Sequence, residues 1–332
     1  MEGIITAWGR ILRGYKPSLS IEITRECPLR CPGCYAYGDD HLGGDVTLRQ
    51  VTDYKGQELV DRVLAIVEEE KPIHVSIVGG EPLVRYRELQ QLLPQLAERG
   101  IYSQLVTSAV RPIPAEFAKI PRLQIVVSID GLQPEHDVRR APATYDRVQK
   151  HIVGHQITVH CTVTRQQVQR DGYLEEFVHF WSARDEVAQI WVSLFTPQVG
   201  EVANEILLPA DRERVVAALM SLRHKYKKLA MPEGLIKQYV APPSSPDECV
   251  FALTTSCISA DFVHRITPCQ FGGTPDCSQC GCIASAALAA VSAHRLPGGL
   301  RVGAIFETSL KVGRTVRGRR EARPMAEPSP AA

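Results

Sequence analysis

The chain has 332 residues, enough for one large domain with a smaller one beside it. Its 38 basic and 37 acidic residues leave a net charge of +1, which excludes a global pull toward nucleic acid or an anionic membrane. No apolar run reaches the roughly 18 residues of a spanning helix, and residues 1–17 lack the apolar core and cleavage site of a signal peptide. The expectation is a cytoplasmic protein with no transmembrane segment and no nucleic-acid partner.

In chain order, residues 1–17 carry Trp8, Arg10, Arg13 and Lys16 among apolar positions and read as an amphipathic extension. From residue 18 to about 200, short β-rich runs alternate with helical ones. The strand candidates are Leu19–Thr24, Ile73–Val78, Tyr102–Thr107, Leu123–Ile129, Thr158–Thr164 and Ile190–Phe195. Helix candidates lie between them at Leu48–Glu70, Arg87–Arg99, Pro114–Ala118, Tyr145–Ile152 and Tyr173–Ala183. Repeated β-then-α units predict parallel strands with helices outside, in an α/β fold. Strand parity separates a barrel from a doubly wound sheet. Leu19, Ile21 and Ile23 oppose Ser20, Glu22 and Thr24, and His160 and Thr162 oppose Val159, Cys161 and Val163. Strands covered by helices on both faces read as continuous apolar runs. Here one face is polar, which favours a partial (β/α)6 TIM-type barrel with a lumen that holds something polar.

Residues 201–248 form a connecting region, with a helix expected over Asp211–Leu229 and a Pro/Ser-rich break at Ala241–Pro246. Residues 249–300 form a small Cys-rich metal-binding module that ends in an Ala-rich helix at Ile283–His294. Residues 301–332 read as a basic tail, partly disordered, in which Arg314, Arg317, Arg319, Arg320 and Arg323 leave peripheral membrane contact open as an alternative to solvation.

Nine of the ten cysteines fall in Cys27–Cys34 or Cys249–Cys282. Clustered thiols in a reducing compartment point to metal or iron–sulfur ligation rather than disulfides. Cys27, Cys31 and Cys34 stand at C-x3-C-x2-C just past the first strand. A cubane [4Fe–4S] cluster takes four thiolates, so three leave one iron open to a small molecule. By spacing alone, three ligands of a zinc site also fit.

Two further segments end strands, where barrel sites lie: Val78-Gly79-Gly80-Glu81-Pro82 and Val127-Ser128-Ile129-Asp130-Gly131. With the cysteine spacing, they resemble the radical SAM (S-adenosylmethionine) superfamily, in its SPASM/twitch-like branch. The resemblance implies a SAM-binding [4Fe–4S] cluster on Cys27, Cys31 and Cys34. It implies reductive cleavage of S-adenosylmethionine to methionine and a 5′-deoxyadenosyl radical, which abstracts a hydrogen atom from a substrate. Gly79, Gly80, Glu81, Pro82, Ser128 and Asp130 become the expected cosubstrate contacts, with Glu81 accepting from the methionine amino group. The family's aromatic residue before the third Cys is Gly33 here, which leaves adenine packing to Tyr35, Tyr37 or another ring.

The second cysteine group is similar to the auxiliary module of that branch. It implies one further [4Fe–4S] cluster, with Cys257, Cys269, Cys280 and Cys282 first in line and Cys277 next, against a structural zinc knot. The substrate expected by resemblance is a peptide or protein, with a small molecule as rival, and a flavodoxin or ferredoxin as reductant. The alternative function is an iron–sulfur electron carrier or zinc-stabilised scaffold. Cys161 reads as a buried small hydrophobe, and His160 as either a substrate contact or a structural side chain.

Overall fold

A computed structural model describes residues 2–321. Its helices are α1 (Glu2–Leu12), α2 (Gly56–Glu70), α3 (Tyr86–Glu98), α4 (Glu135–Arg140), α5 (Tyr145–His151), α6 (Arg165–Val168), α7 (Tyr173–Ser182), α8 (Pro209–Lys225), α9 (Glu233–Lys237), α10 (Val250–Thr254), α11 (Ile283–Ala293) and α12 (Val302–Glu321). Its strands are β1 (Ser18–Glu22), β2 (His74–Val78), β3 (Tyr102–Thr107), β4 (Leu123–Ser128), β5 (Ile157–Val163), β6 (Val187–Leu194) and β7 (Thr255–Ile258).

The strands form one seven-stranded sheet in the order β6-β5-β4-β3-β2-β1-β7. Every pairing in it is parallel. Strands β1 to β6 lie side by side in chain order with helices between them, the partial (β/α)6 arrangement expected. Leu19, Ile21, Val75, Ile77, Leu105, Val127 and Val159 are fully buried in one core. On the other face, Ser20 lies opposite Ser76 and Ser76 opposite Gln104. The Ser76 hydroxyl donates to Gln104 at 3.3 Å, and the Gln124 amide donates to Thr158 at 3.0 Å. Alternation along each strand thus separates an apolar outer face from a polar lumen.

The seventh strand was not foreseen. β7 belongs to the Cys-rich module and pairs with β1, placing Thr255 opposite Ser18 and Cys257 opposite Ser20. At the other edge, the chain after β6 runs against residues of the same module. Val199 N–H donates to Thr274 O at 2.8 Å, Asp276 N–H to Pro197 O at 2.8 Å, and Leu194 N–H to Gly281 O at 2.9 Å. The module therefore spans the gap between the first and last strands of the barrel.

The helix expected at Pro114–Ala118 is a short 3-10 helix at Ala115–Lys119, the one expected over Asp211–Leu229 stops at Lys225, and two others differ more. The helix expected from Leu48 starts only at Gly56. The preceding segment is used to hold the chain after β1: Arg25 donates to the carbonyls of Arg49 and Val51, and Asp53 accepts from Arg25 N–H at 3.1 Å. Local bonding of this kind competes with helix formation. Much of the segment expected as a basic tail is instead helix α12. Val302, Phe306 and Leu310 recur every four residues and pack on Trp8 and Ile11 of α1. The Trp8 and Phe306 rings meet edge to face at 6.1 Å. Arg323 and the final residues expected to be disordered lie outside the described residues. Among the described residues, no helix is long and apolar enough to cross a membrane.

The α1–α12 contact depends on Gly313, where a Cβ would stand 2.0 Å from the Ile11 carbonyl oxygen. Gly313→Leu should therefore separate the two helices and speed amide exchange across residues 2–12, while leaving β1–β6 protected. Unchanged exchange in α1 would contradict this packing.

Candidate active site

The loop that carries Cys27, Cys31 and Cys34 is anchored at its root by the turn after β2. Gly79 has φ +133°, and a Cβ there would lie 2.8 Å from Thr24 O. At Gly80 a Cβ would lie 2.2 Å from Glu26 O. The two backbones are stitched by Gly80 N–H to Thr24 O and Glu81 N–H to Glu26 O, each at 2.8 Å. The absent side chains thus let this turn press on the segment that leads into Cys27.

Glu81 is buried, and its carboxylate is held by the chain itself. Leu83 N–H donates to one oxygen at 2.9 Å and Ser108 N–H to the other at 2.8 Å, and the hydroxyls of Thr107 and Ser108 also donate. Glu81 ties the turn to the end of β3, whereas the sequence expectation had it receive an amino group. Pro82 opens the short 3-10 helix Pro82–Arg85. Arg85 then pairs with Asp53 and, at 3.0 Å, with Glu26. Hydrogen bonds from Arg85 and Lys55 hold the Glu26 carboxyl down to about 2.

The three thiols are free, partly buried and in one another's electrostatic field. Burial pushes the Cys27 thiol up to about 12 and raises Cys31 and Cys34 as well. Arg140 pulls the other way on both Cys31 and Cys34, and Arg139 on Cys31. Cations at this position favour the thiolate form that binds metal. Asp130 holds both arginines: it accepts from Arg140 Nε at 2.8 Å, from Arg139 Nε at 3.1 Å and from Thr162 N–H at 3.0 Å. Burial opposes the charge on Asp130, but the two guanidiniums and the Thr162 amide outweigh it and keep the carboxyl far below its usual range. Asp130 was expected as a cosubstrate contact, and the sequence reading missed Arg140, the cation that Asp130 aims.

Ser128 faces the lumen opposite His160 in the strand register. The His160 ring lies 2.7 Å from the Ser193 hydroxyl, and burial lowers its pKa to about 4, so it is neutral at pH 7. Cys161 is buried on the outer face of β5 among apolar residues, as its parity predicted. Neither expected tyrosine ring is loose. Tyr35 packs edge to face on Phe271 at 5.2 Å, and Tyr37 lies under Arg49 while donating to Arg25 O at 2.8 Å.

Below Tyr35, His41 Nδ1 lies 2.9 Å from Phe271 O and Nε2 lies 2.9 Å from a Glu22 carboxylate oxygen. An imidazole between two acceptors donates from both nitrogens only when it is cationic. Burial works against that charge, but the Glu22 carboxylate and the Phe271 carbonyl outweigh it and raise the His41 pKa. Glu22 also accepts from Ser259 Oγ at 3.0 Å. The pair therefore ties β1, the first cysteine loop and the second module together.

In that module Cys249, Cys269, Cys277 and Cys280 each lie in the field of the other three. Cys249 Sγ is 3.2 Å from Ser285 Oγ, and the same hydroxyl bonds Cys280. Cys257 and Cys282 lie beside Tyr35, with Cys282 also in the field of Cys269 and Cys280 and Cys257 in that of Cys269. Cys249 was absent from the expected ligands; its only sequence signal was membership of the group. Among the described residues, no three Cys, His, Asp or Glu side chains are gathered at single-ion distance. The donor sets suit iron–sulfur clusters: three thiols on one loop, and four in one another's field in the module.

Residues 21–153 match the family model of the Radical SAM superfamily. The matched stretch holds all three motifs, and its class is the one to which they pointed. It is 31% identical over 127 residues to a PqqA peptide cyclase of Bradyrhizobium diazoefficiens, covering 36% of this chain and 30% of that protein. To the PqqA peptide cyclase of Xanthomonas campestris pv. campestris it is 23% identical over 278 residues, covering 78% and 68%. The chain thus spans less than a third of the length of the first of these relatives. In fold it is similar to anSMEcpe with bound AdoMet, with TM-score 0.57, 15% identity and coverage of 91% and 97%. It is also similar to Streptococcus suis SuiB bound to precursor peptide SuiA, with TM-score 0.54, 17% identity and coverage of 77% and 60%.

Two measurements check this geometry. Glu81→Gln turns an amide N–H₂ toward donors and should cost roughly 2–3 kcal/mol of unfolding free energy by denaturant titration; an unchanged midpoint would contradict the staple. The raised His41 pKa stabilises the fold fully below the unfolded value of about 6.5 and loses that contribution as pH rises through the folded value. Wild type should therefore lose stability relative to Glu22→Gln as pH rises above about 6.5, and parallel profiles would contradict the ion pair.

Proposed function

We infer that this chain is a radical SAM enzyme acting on a peptide or protein. The observation that carries the reading is the three-thiol loop, docked by the Gly79–Glu81 turn and faced by the Arg140 guanidinium. Cys27, Cys31 and Cys34 would hold one [4Fe–4S] cluster. Cys249, Cys269, Cys277 and Cys280 would hold a second, in place of the set first expected. A cluster on three thiolates leaves an iron open, and when bound it supplies one-electron cleavage of S-adenosylmethionine to methionine and a 5′-deoxyadenosyl radical.

The chain's own residues do the rest. Arg140, oriented by Asp130, offers a planar cation that suits the cosubstrate carboxylate. Glu81 keeps the turn of Gly79, Gly80 and Pro82 in place, so backbone rather than a carboxylate faces the cosubstrate there. The neutral His160 and the polar row of the lumen present hydrogen-bonding groups to a bound molecule. The second module covers the open side of the barrel and limits water entry. A peptide substrate is supported by the likeness to PqqA peptide cyclases and to SuiB with its precursor peptide. Free thiols throughout suit a reducing cytoplasm, where a flavodoxin or ferredoxin would be the electron donor.

Anaerobically reconstituted protein should hold about eight irons, four at each of two sites. Changing Cys27, Cys31 and Cys34 together to Ala should remove half of them. Cys249→Ala should remove the other half, and Cys161→Ala none. Zinc in place of iron, or Cys249→Ala with full iron, would overturn the assignment.

A further inference from the structure

Consecutive residues at the end of β6 touch both cysteine loops. Leu194 N–H donates to Gly281 O at 2.9 Å, and a Cβ on Gly281 would stand 2.1 Å from Leu194 O and 2.4 Å from Leu194 Cβ. Gly281 sits between Cys280 and Cys282. The next residue, Phe195, donates its N–H to Val163 O at 2.9 Å and lays its ring against Gly33. A Cβ on Gly33 would stand 2.7 Å from Phe195 Cε2 and 3.0 Å from Cζ. Gly33 has φ +63° and sits between Cys31 and Cys34. Each cysteine loop thus has a glycine at the point where β6 meets it.

The contact is reinforced on both sides. Gly281 N–H donates to Thr196 Oγ1 at 2.8 Å, and Ile283 N–H to Ser193 Oγ at 3.3 Å. Four successive residues, Ser193 to Thr196, therefore bear on one loop or the other. Neighbouring Cα atoms are about 3.8 Å apart along a chain, so the two loops meet β6 one residue apart. Phe195 is 5% exposed, and its ring fills the space beside Gly33. A packed ring deforms less than a water-filled gap.

We propose that Leu194 and Phe195 are the spacer that sets the distance between the two metal centres, with Phe195 as the positioning residue on the side of the first. This rests on the two-cluster reading above. Neither residue is a ligand; the pair holds the Cys31–Cys34 and Cys280–Cys282 segments on opposite sides of one strand end, so that neither centre shifts without the other.

The test uses the full chain, reconstituted anaerobically and reduced with dithionite, with low-temperature EPR reading the spin–spin interaction between the centres. Iron is measured first. About four irons per chain in the wild type would overturn the two-cluster reading and this proposal with it, whereas about eight would leave spacing as the variable under test. Phe195→Ala with wild-type iron should shift the inter-centre splitting, and Phe195→Leu should stay close to wild type. An unchanged splitting in Phe195→Ala, at full iron, overturns the proposal. If Phe195→Ala loses iron, the Gly33→Ala and Gly33→Ala/Phe195→Ala variants decide by melting temperature. Gly33→Ala should lower Tm by about 5 °C or more, since its methyl group meets the ring, and the double variant should lose less than the sum of the singles. Strict additivity overturns the contact on which the spacer depends.

Discussion

A parallel sheet that stops at six strands has two edges of unpaired amides and carbonyls, and such edges must be covered. In this chain one module covers the β1 edge and the end of the β6 edge, whose middle pairs at Ile190 with residues 228–230. β7 pairs with β1, and the stretch from Thr274 to Gly281 pairs with the chain at and beyond the end of β6. The satisfaction of backbone hydrogen bonds therefore brings the second group of cysteines over the mouth of the barrel, where the first group already lies. His41 strengthens the join, bonding Glu22 on β1 and Phe271 in the module. The same edge pairing that completes the sheet places two cysteine loops within one strand end of each other.

Charge within the mouth is distributed in the same economical way. Asp130 is buried, yet it stays ionised because Arg139, Arg140 and the Thr162 amide surround it. Arg140 in turn bears on Cys31 and Cys34. A lone buried carboxylate or guanidinium would be costly, but the assembly leaves a cation facing the thiols with its counter-charge behind it. Glu81 acts similarly through neutral donors. Its role is to hold a turn, and the turn holds the root of the cysteine loop. The motif residues thus act through one another as much as on any bound molecule.

Much of this was legible before the structure. The six strands, their parity and the three strand-end motifs all follow from alternation and spacing, which are local properties of the chain. What was missed depends on long-range pairing. β7 is only four residues long and is a strand only because β1 lies beside it. Cys249 is distinguished from Cys257 only by the packing of α10 on α11, which brings it beside Ser285. Arg140 lies on a six-residue helix whose importance comes from Asp130, ten positions earlier. Phe195 looks like the last apolar residue of a strand until Gly33 is seen against it. In α12 the average composition of Gly and Arg concealed a stripe of Val302, Phe306 and Leu310.

The central claim is that the loop of Cys27, Cys31 and Cys34 supports radical chemistry on S-adenosylmethionine, and product analysis tests it most directly. The iron-loaded protein, reduced with dithionite and given S-adenosylmethionine, should release 5′-deoxyadenosine and methionine above the level of a Cys31→Ala control, slowly in the absence of the true substrate. Fully loaded, reduced wild-type protein that releases no more 5′-deoxyadenosine than that control would contradict the account and leave the chain an electron carrier.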